Sequence, residues 1–410
     1  MNEIRIIDES PFNDGLDVGR GLGRAPLVDQ TRAWLDDRLF RDDLSAMSES
    51  ALMRRIIERL EAEPTDASRP ELAEVYPDRL DYVRGLAAGA DCTLEQAALY
   101  DYVQYAHEIR HWSAIMHPTS EDGHCSGVFM AGPDGVLTGQ NIDSGVMHRP
   151  PDFGIKASGP VSLTLKRPRT GYIADWGLTN EHGVGQAVGG SVGTWLDEPI
   201  VDMWPYKQMP LLRFARNVHD LADLYQRYRL FNWGRGAGVW ADLSGDAIVT
   251  EHSYRRVGIE HIHDRAAWAT EGHFQTDSMS AYIRERRLKY VRSRGKHLGA
   301  DDLQYAADCA VRYAHIGELV HLDLGRGIEH MRAVLTDHAP FPRAVCRHGG
   351  PDTDPYDQAI TLQSSIRNLT TNRAHVRVFV PGDKFCCQVP EIVMEYPPRP
   401  CDNGWSAGPR

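Results

Sequence analysis

Asp122-Gly123-His124-Cys125-Ser126-Gly127-Val128-Phe129-Met130 is the stretch on which the chain turns. Ahead of it, from Thr31 to His107, apolar residues recur mostly at three- to five-residue steps, closer to a helix than to a strand. From Cys125 to Ala131 the pattern alternates, Pro133-Asp134-Gly135 reads as a turn, and Val136 to Asn141 resumes as a strand. A hairpin is predicted, with Cys125 at the start of its first strand and Asp143 at the end of its second. In an antiparallel pair those positions are neighbours, so Cys125 and Asp143 are expected side by side.

Working outward, Thr93-Leu94-Glu95-Gln96 has the form of a capping box that opens a helix through Tyr105. Gly85, Ala87, Ala88, Gly89 and Ala90 would let the helix before it pack closely on a neighbour. Residues 1–27 are polar and glycine-rich; with no apolar strand ahead of Gly19-Arg20-Gly21-Leu22-Gly23, they read as a turn or arm rather than a nucleotide loop. Beyond the hairpin, alternating pieces fall at 161–165, 172–176, 238–243, 247–252 and 256–262, with a turn at Leu178–Gly185. Helices are expected at 206–231, 278–294 and 326–338, and a last hairpin at 359–368 and 375–380. Helices, then strands, then helices, then strands is not the alternation of a doubly wound sheet; it suits antiparallel sheets covered by helices, an α+β fold.

Composition narrows the function classes. The 45 Lys plus Arg stand against 57 Asp plus Glu, a net charge of −12, which disfavours general nucleic-acid binding. The basic helix at 278–294 has no aromatic stacking surface and reads as a solvated face. The start, Met1-Asn2-Glu3-Ile4-Arg5, lacks the basic and apolar regions of a signal peptide, and no apolar run approaches the ~20 residues of a membrane helix. Seven cysteines without a Cys-x-x-Cys pair or a zinc-like Cys/His spacing fit free thiols in a cytoplasmic protein, with no metal and no cofactor expected.

A cysteine at the start of a strand after a polar loop is often a small buried hydrophobe. As a nucleophile it must react as its thiolate, and something must take its proton. A separate histidine is one solution, with His273 and His348 as candidate bases. Another is the cysteine's own α-amine, freed by cutting the bond before it, whose pKa near ~8 leaves a neutral fraction at working pH.

Several segments, in one order from Leu80 to Cys387, resemble the penicillin acyltransferase-like branch of the cysteine amino-terminal-nucleophile (Ntn) hydrolases, which includes acyl-CoA:6-aminopenicillanic acid acyltransferase. Leu80 to Gln96 resembles its helix-end signature. Cys125-Ser126 with Gly139-Gln140-Asn141-Ile142-Asp143 resembles its nucleophile core, and Asn180-Glu181-His182-Gly183-Val184 its "N-E-x-G" turn. Leu335-Thr336-Asp337-His338, Val345-Cys346-Arg347-His348 and Gly382-Asp383-Lys384-Phe385-Cys386 resemble three later elements.

The resemblance implies an αββα sandwich, two antiparallel sheets between helix layers. It implies self-cleavage between His124 and Cys125, giving a helical α chain of residues 1–124 and a β chain of residues 125–410 within one structural domain. Cys125 carries over as nucleophile and, through its new amine, as base; Asp143 as the acid orienting that amine; Asn180 as a residue beside the substrate. Asn141, Gly272 and His273 are the oxyanion or pocket candidates. The sequence departs from the family in having His124 where glycine usually precedes the nucleophile. It also departs at Thr270-Glu271-Gly272-His273-Phe274, which lacks the family's asparagine, so that the backbone N–H of Gly272 would have to serve. The bile-salt and penicillin V relatives carry Arg at the position of Gln140, so their substrate preference is not expected here.

The function expected is amide hydrolysis of a small N-acylated amine or amide through a thioester acyl-enzyme. The alternatives are acyl transfer to an amine acceptor, or an uncleaved, catalytically degenerate fold used for binding. Neither nucleic acid nor membrane is an expected partner, and homo-oligomerisation is left open.

Overall fold

A computed structural model of the chain describes residues 4–8, 11–36, 79–103, 125–145, 155–156, 162–167, 171–174, 177–180, 182–188, 215–228, 236–252, 257–270, 273–282, 300–322, 325–339, 344–347, 359–378 and 387–395, with residues 51, 52, 54, 56, 284 and 285. His124, Gly272, His348, Cys386 and most of the basic segment 278–294 lie outside the described residues.

Two sheets form the centre. Among the described residues the first has nine strands: β1 (Ile4–Asp8), β4 (Ile155–Lys156), β5 (Ser162–Arg167), β6 (Gly171–Ala174), β7 (Gly177–Asn180), β8 (Gly185–Val188), β9 (Gly236–Ala241), β10 (Ala247–His252) and β11 (Val257–Ile262). The second has six, in the order β12 (Ala266–Thr270), β2 (Ser126–Gly132), β3 (Gly135–Gly145), β13 (Ala359–Asn368), β14 (Arg373–Val378), β15 (Ile392–Glu395). Among the described residues the pairings are antiparallel except β1 with β5, where Ile4 lies opposite Leu163 in a parallel ladder. The expectation of purely antiparallel sheets is corrected at that one edge. The second sheet is built around the predicted hairpin: Gly132 pairs Gly135 across Pro133-Asp134, and Ser126 pairs Asn141.

Alternation along β2 assigns its two faces. Phe129 joins Val136, Val239, Ala241 and Val249 in a core between the sheets. Val128 and Met130 point the other way, to α6 (Ala300–His321) and α7 (Ile328–Leu335), where they meet Ile316, Val320, Met331 and Leu335. A third core covers the outer face of the first sheet, where Trp240 and Ile248 pack with Leu27, Val83, Leu86, Tyr102 and Tyr225. These come from α2 (Arg24–Asp36), α3 (Arg79–Ala90), α4 (94–103) and α5 (Val218–Tyr228). The layers run helix, sheet, sheet, helix, an α+β sandwich. No helix among the described residues is long and apolar enough to cross a membrane.

The N-terminal segment read as a turn or arm is a strand followed by α1 (Pro11–Leu22). Its glycines serve a helix crossing. A Cβ at Gly15 would stand 2.0 Å from the Tyr82 carbonyl oxygen, and one at Gly89 would stand 2.1 Å from that of Leu16. Gly15 and Gly19 on α1 therefore interlock with Gly85 and Gly89 on α3, backbone against backbone. The capping box is present, with Thr93 Oγ1 accepting from the Gln96 N–H and the Gln96 side chain accepting from the Thr93 N–H.

Candidate active site

Cys125 stands immediately before β2, half-buried, at one end of the second sheet. The hairpin register runs on from Ser126–Asn141 to bring Asp143 beside it, and the thiol donates to the Asp143 backbone carbonyl at 3.7 Å. The Asp143 side chain points to the helix layer, as parity with Leu137 and Gly139 requires. There it is 2% exposed. Thr361 Oγ1, directly opposite on β13, donates to Asp143 Oδ1 at 2.7 Å. Arg312 Nη1 of α6 lies 3.9 Å from Oδ2.

Burial pushes the Asp143 carboxyl up to about 7, against the opposing pull of the Arg312 charge and the Thr361 hydrogen bond. Thr361 is itself fixed: its backbone N–H donates to the Arg347 carbonyl at 2.8 Å, and its hydroxyl accepts from the Arg347 N–H at 2.7 Å.

Thr270, the last residue of β12, pairs Ser126 on the other side of β2. The His273 N–H donates to the Thr270 carbonyl at 3.4 Å, which places His273 at the Cys125 end of the sheet. Its ring stacks on Tyr313 with centroids 4.0 Å apart, and burial lowers its pKa, which favours the neutral ring. Glu251, buried near the end of β10 in the other sheet, pins this segment. Its carboxylate accepts from the backbone N–H groups of Gln275 and Thr276 and from the Thr276 hydroxyl. Burial raises its pKa, and those donors oppose the rise.

The other predicted residues sit elsewhere. Asn141 faces the helix layer, where its amide donates to the carbonyls of Leu335 and Val345, both at 2.8 Å. Two donations from one –NH₂ use both its hydrogens, so Asn141 ties α7 and the 344–347 loop to the sheet instead of pointing at Cys125. Asn180 is at the opposite end of the sandwich. Its Oδ1 accepts from the N–H groups of His182 and Val184, closing the β7–β8 turn with Gly183 at φ +77, and its amide donates to the Ala215 carbonyl. A Cβ at Gly185 would touch Leu369, in the turn of the last hairpin, and one at Gly245 would approach Ala131 and Val136. Those neighbours mark the far end of β2, roughly 20 Å from Cys125 at ~3.3 Å per residue. Asn180 here closes a turn.

Arg312 and Thr361 were not singled out in the sequence. A signal for Arg312 existed, since it shares a helical stripe with Cys309, Ile316 and Val320, all buried. A lone charge on such a stripe needs a buried partner.

No family model matches the chain, and no curated protein matches it. Among solved structures it is similar to a mutant of conjugated bile acid hydrolase from Clostridium perfringens, at 14% identity over 67% of this chain and 97% of that one, with a TM-score of 0.33. It is similar to penicillin V acylase from Agrobacterium tumefaciens, at 13% identity over 62% of this chain and 82% of that one, with a TM-score of 0.35. A second variant of the Clostridium enzyme gives 15% identity, the same coverage and a TM-score of 0.34.

Proposed function

We propose that the protein is a cysteine hydrolase of the Ntn type that cleaves itself between His124 and Cys125 and then hydrolyses the amide bond of a small N-acylated substrate. The observation that carries this reading is the hydrogen bond from the half-buried Cys125 thiol to the backbone carbonyl of Asp143, a residue whose own carboxyl is buried and held by Thr361 and Arg312. A buried carboxyl with a displaced pKa, on a residue whose backbone meets a thiol, supports a chemical site over a packing site.

The steps follow from these groups. Cleavage frees the α-amine of Cys125, whose ordinary pKa near ~8 lets it accept the thiol proton. The thiolate attacks the acyl carbon, and a tetrahedral oxyanion forms. Its collapse breaks the C–N bond, and the proton held by the α-amine passes to the departing amine. Water, deprotonated by the same amine, then attacks the thioester and restores the thiol. Asp143 in its ionised form holds the ammonium that appears twice in this cycle. The oxyanion needs fixed donors, and the backbone N–H of Gly272, in the segment between Thr270 and His273, is the one expected to serve.

After cleavage, residues 1–124 would stay attached, because β1 pairs β5 and the outer core interleaves Leu27, Val83 and Leu86 with Val184, Tyr225 and Trp240. A soluble, cytoplasmic setting is part of the same proposal.

The test is turnover by purified wild-type protein, Cys125→Ala and Asp143→Ala on a panel of N-acyl amines, dipeptides and β-lactams, with a second amine added to reveal acyl transfer. Hydrolysis by the wild type that disappears in Cys125→Ala is expected. Activity surviving in Cys125→Ala removes the nucleophile. Inert wild type across the panel, together with an uncut chain, favours the binding role that the missing asparagine in Thr270–Phe274 would allow.

A further inference from the structure

A histidine and two cysteines from three separate segments of the chain meet at one point. His338 follows the C-terminal end of α7, Cys346 lies in the 344–347 loop, and Cys387 begins the turn before β15. The imidazole nitrogen and the two sulfurs all lie within 4.8 Å of one another. Cys346 is buried, Cys387 half-buried and His338 exposed.

The backbone beneath each of them is anchored. The Cys346 N–H donates to the Asp337 carbonyl at 2.9 Å. On one side of Cys346 the Val345 carbonyl accepts from Asn141; on the other, Arg347 is bonded twice to Thr361. Asp337, next to His338, accepts from the Ala339 N–H at 2.8 Å and faces His315 Nε2 at 2.8 Å. The Cys387 carbonyl accepts from Arg377 Nη1 at 3.3 Å.

We propose that His338, Cys346 and Cys387 form a binding site for one zinc ion, with water in the fourth position. The ligand chemistry selects this ion, since two thiolates and an imidazole suit zinc or another thiophilic metal and not the oxygen-seeking magnesium or calcium. In a tetrahedral zinc site with Zn–S near ~2.3 Å, the sulfurs stand roughly 3.8 Å apart. The three ligand atoms, all within 4.8 Å of one another, stand within about 1 Å of that spacing. The charges balance: two thiols give up their protons on binding, and two thiolates neutralise the dication. The exposed side of His338 leaves the fourth position open to solvent.

The site would also brace the candidate active site. Cys346 lies between the residue that holds Asn141 and the residue that holds Thr361, which in turn donates to Asp143. A bound ion would fix the platform under the Asp143 carboxyl without touching substrate. The zinc proposal itself stands whether or not Cys125 is a nucleophile.

The test is zinc content of full-length protein, produced with zinc in the medium and purified under reducing conditions without chelator. Wild type and Cys125→Ala should both retain about one zinc per chain, and Cys387→Ser and His338→Ala should lose most of it. Cys387→Ser and His338→Ala spare the buried Cys346, and circular dichroism checks that they fold. In cobalt-exchanged protein, thiolate-to-cobalt charge-transfer bands should appear, weaken in Cys387→Ser and persist in His338→Cys. Zinc retained equally by Cys387→Ser and His338→Ala overturns the proposal. So does wild type that holds no zinc, or a Cys346–Cys387 disulfide in protein alkylated at lysis.

Discussion

At one end of the sandwich, Cys125 and Asp143 lie together near a buried guanidinium; at the other, Asn180 closes the β7–β8 turn through backbone hydrogen bonds. Both ends contain residues that sequence patterns mark for the same site. The first holds a carboxyl that burial lifts to about 7, with Thr361 and Arg312 offsetting only part of that cost. The second holds a neutral amide whose oxygen accepts two backbone N–H groups. The Asn180 amide is met by backbone partners, whereas the Asp143 carboxyl is held where burial disfavours its charged form, on the residue that meets the thiol.

Substitutions at the two ends should separate activity from stability, and they order by size. Cys125→Ala should abolish turnover in the amide panel while leaving the melting temperature close to wild type. Asp143→Asn should lower kcat by ~10²-fold, the scale of losing one group that assists proton transfer. It should also change the pH dependence. The native Asp143 pKa, about 7, lies above its ordinary 3.8, so the folded state keeps a proton that the unfolded state releases in between. Stability from this group is present below about 3.8 and is lost as pH rises to about 7, by up to ~1.4 kcal/mol per pH unit, as the unfolded state binds fewer protons there. Urea melts across that window should show the fall in wild type and a flatter profile in Asp143→Asn.

Arg312→Met should cost about 3 kcal/mol near pH 8, where Asp143 is mostly ionised, and less near pH 5, where the carboxyl is protonated. A loss independent of pH would mean that Arg312 is there for packing. Asn180→Ala should destabilise by ~1–3 kcal/mol through two orphaned N–H groups, with kcat unchanged. A kcat loss without a stability loss would return Asn180 to the chemistry. The smallest effect is Thr93→Ala at the capping box, about 1 kcal/mol by thermal melt and silent in activity.

The same contrast explains how far the sequence could be read. The β2–β3 hairpin was legible because alternation and a Pro-Asp-Gly turn fix its register locally, and register alone puts Cys125 beside Asp143. The turn at 178–185 was equally legible as a turn, but its location depends on how two sheets stack, which no local pattern encodes. Residues 11–22 form a helix although their glycines carry the composition of a turn, because Gly15 and Gly19 let two helix backbones touch. β12, Ala266–Thr270, gives little alternation because it is buried on both faces. α6 was missed along with Arg312; its close seat on β12, with a Cβ at Gly317 only 2.5 Å from the Trp268 ring, is a tertiary fact. The His338–Cys346–Cys387 cluster shows no metal-site spacing because three separate segments assemble it.

The central claim is that Cys125 becomes the first residue of its own chain. Intact-mass analysis of the purified wild-type protein under denaturing conditions tests it most directly. The account predicts two chains, one beginning at Cys125, and a single chain of 46.0 kDa for Cys125→Ala. An uncut wild-type chain that still hydrolyses amides would contradict it.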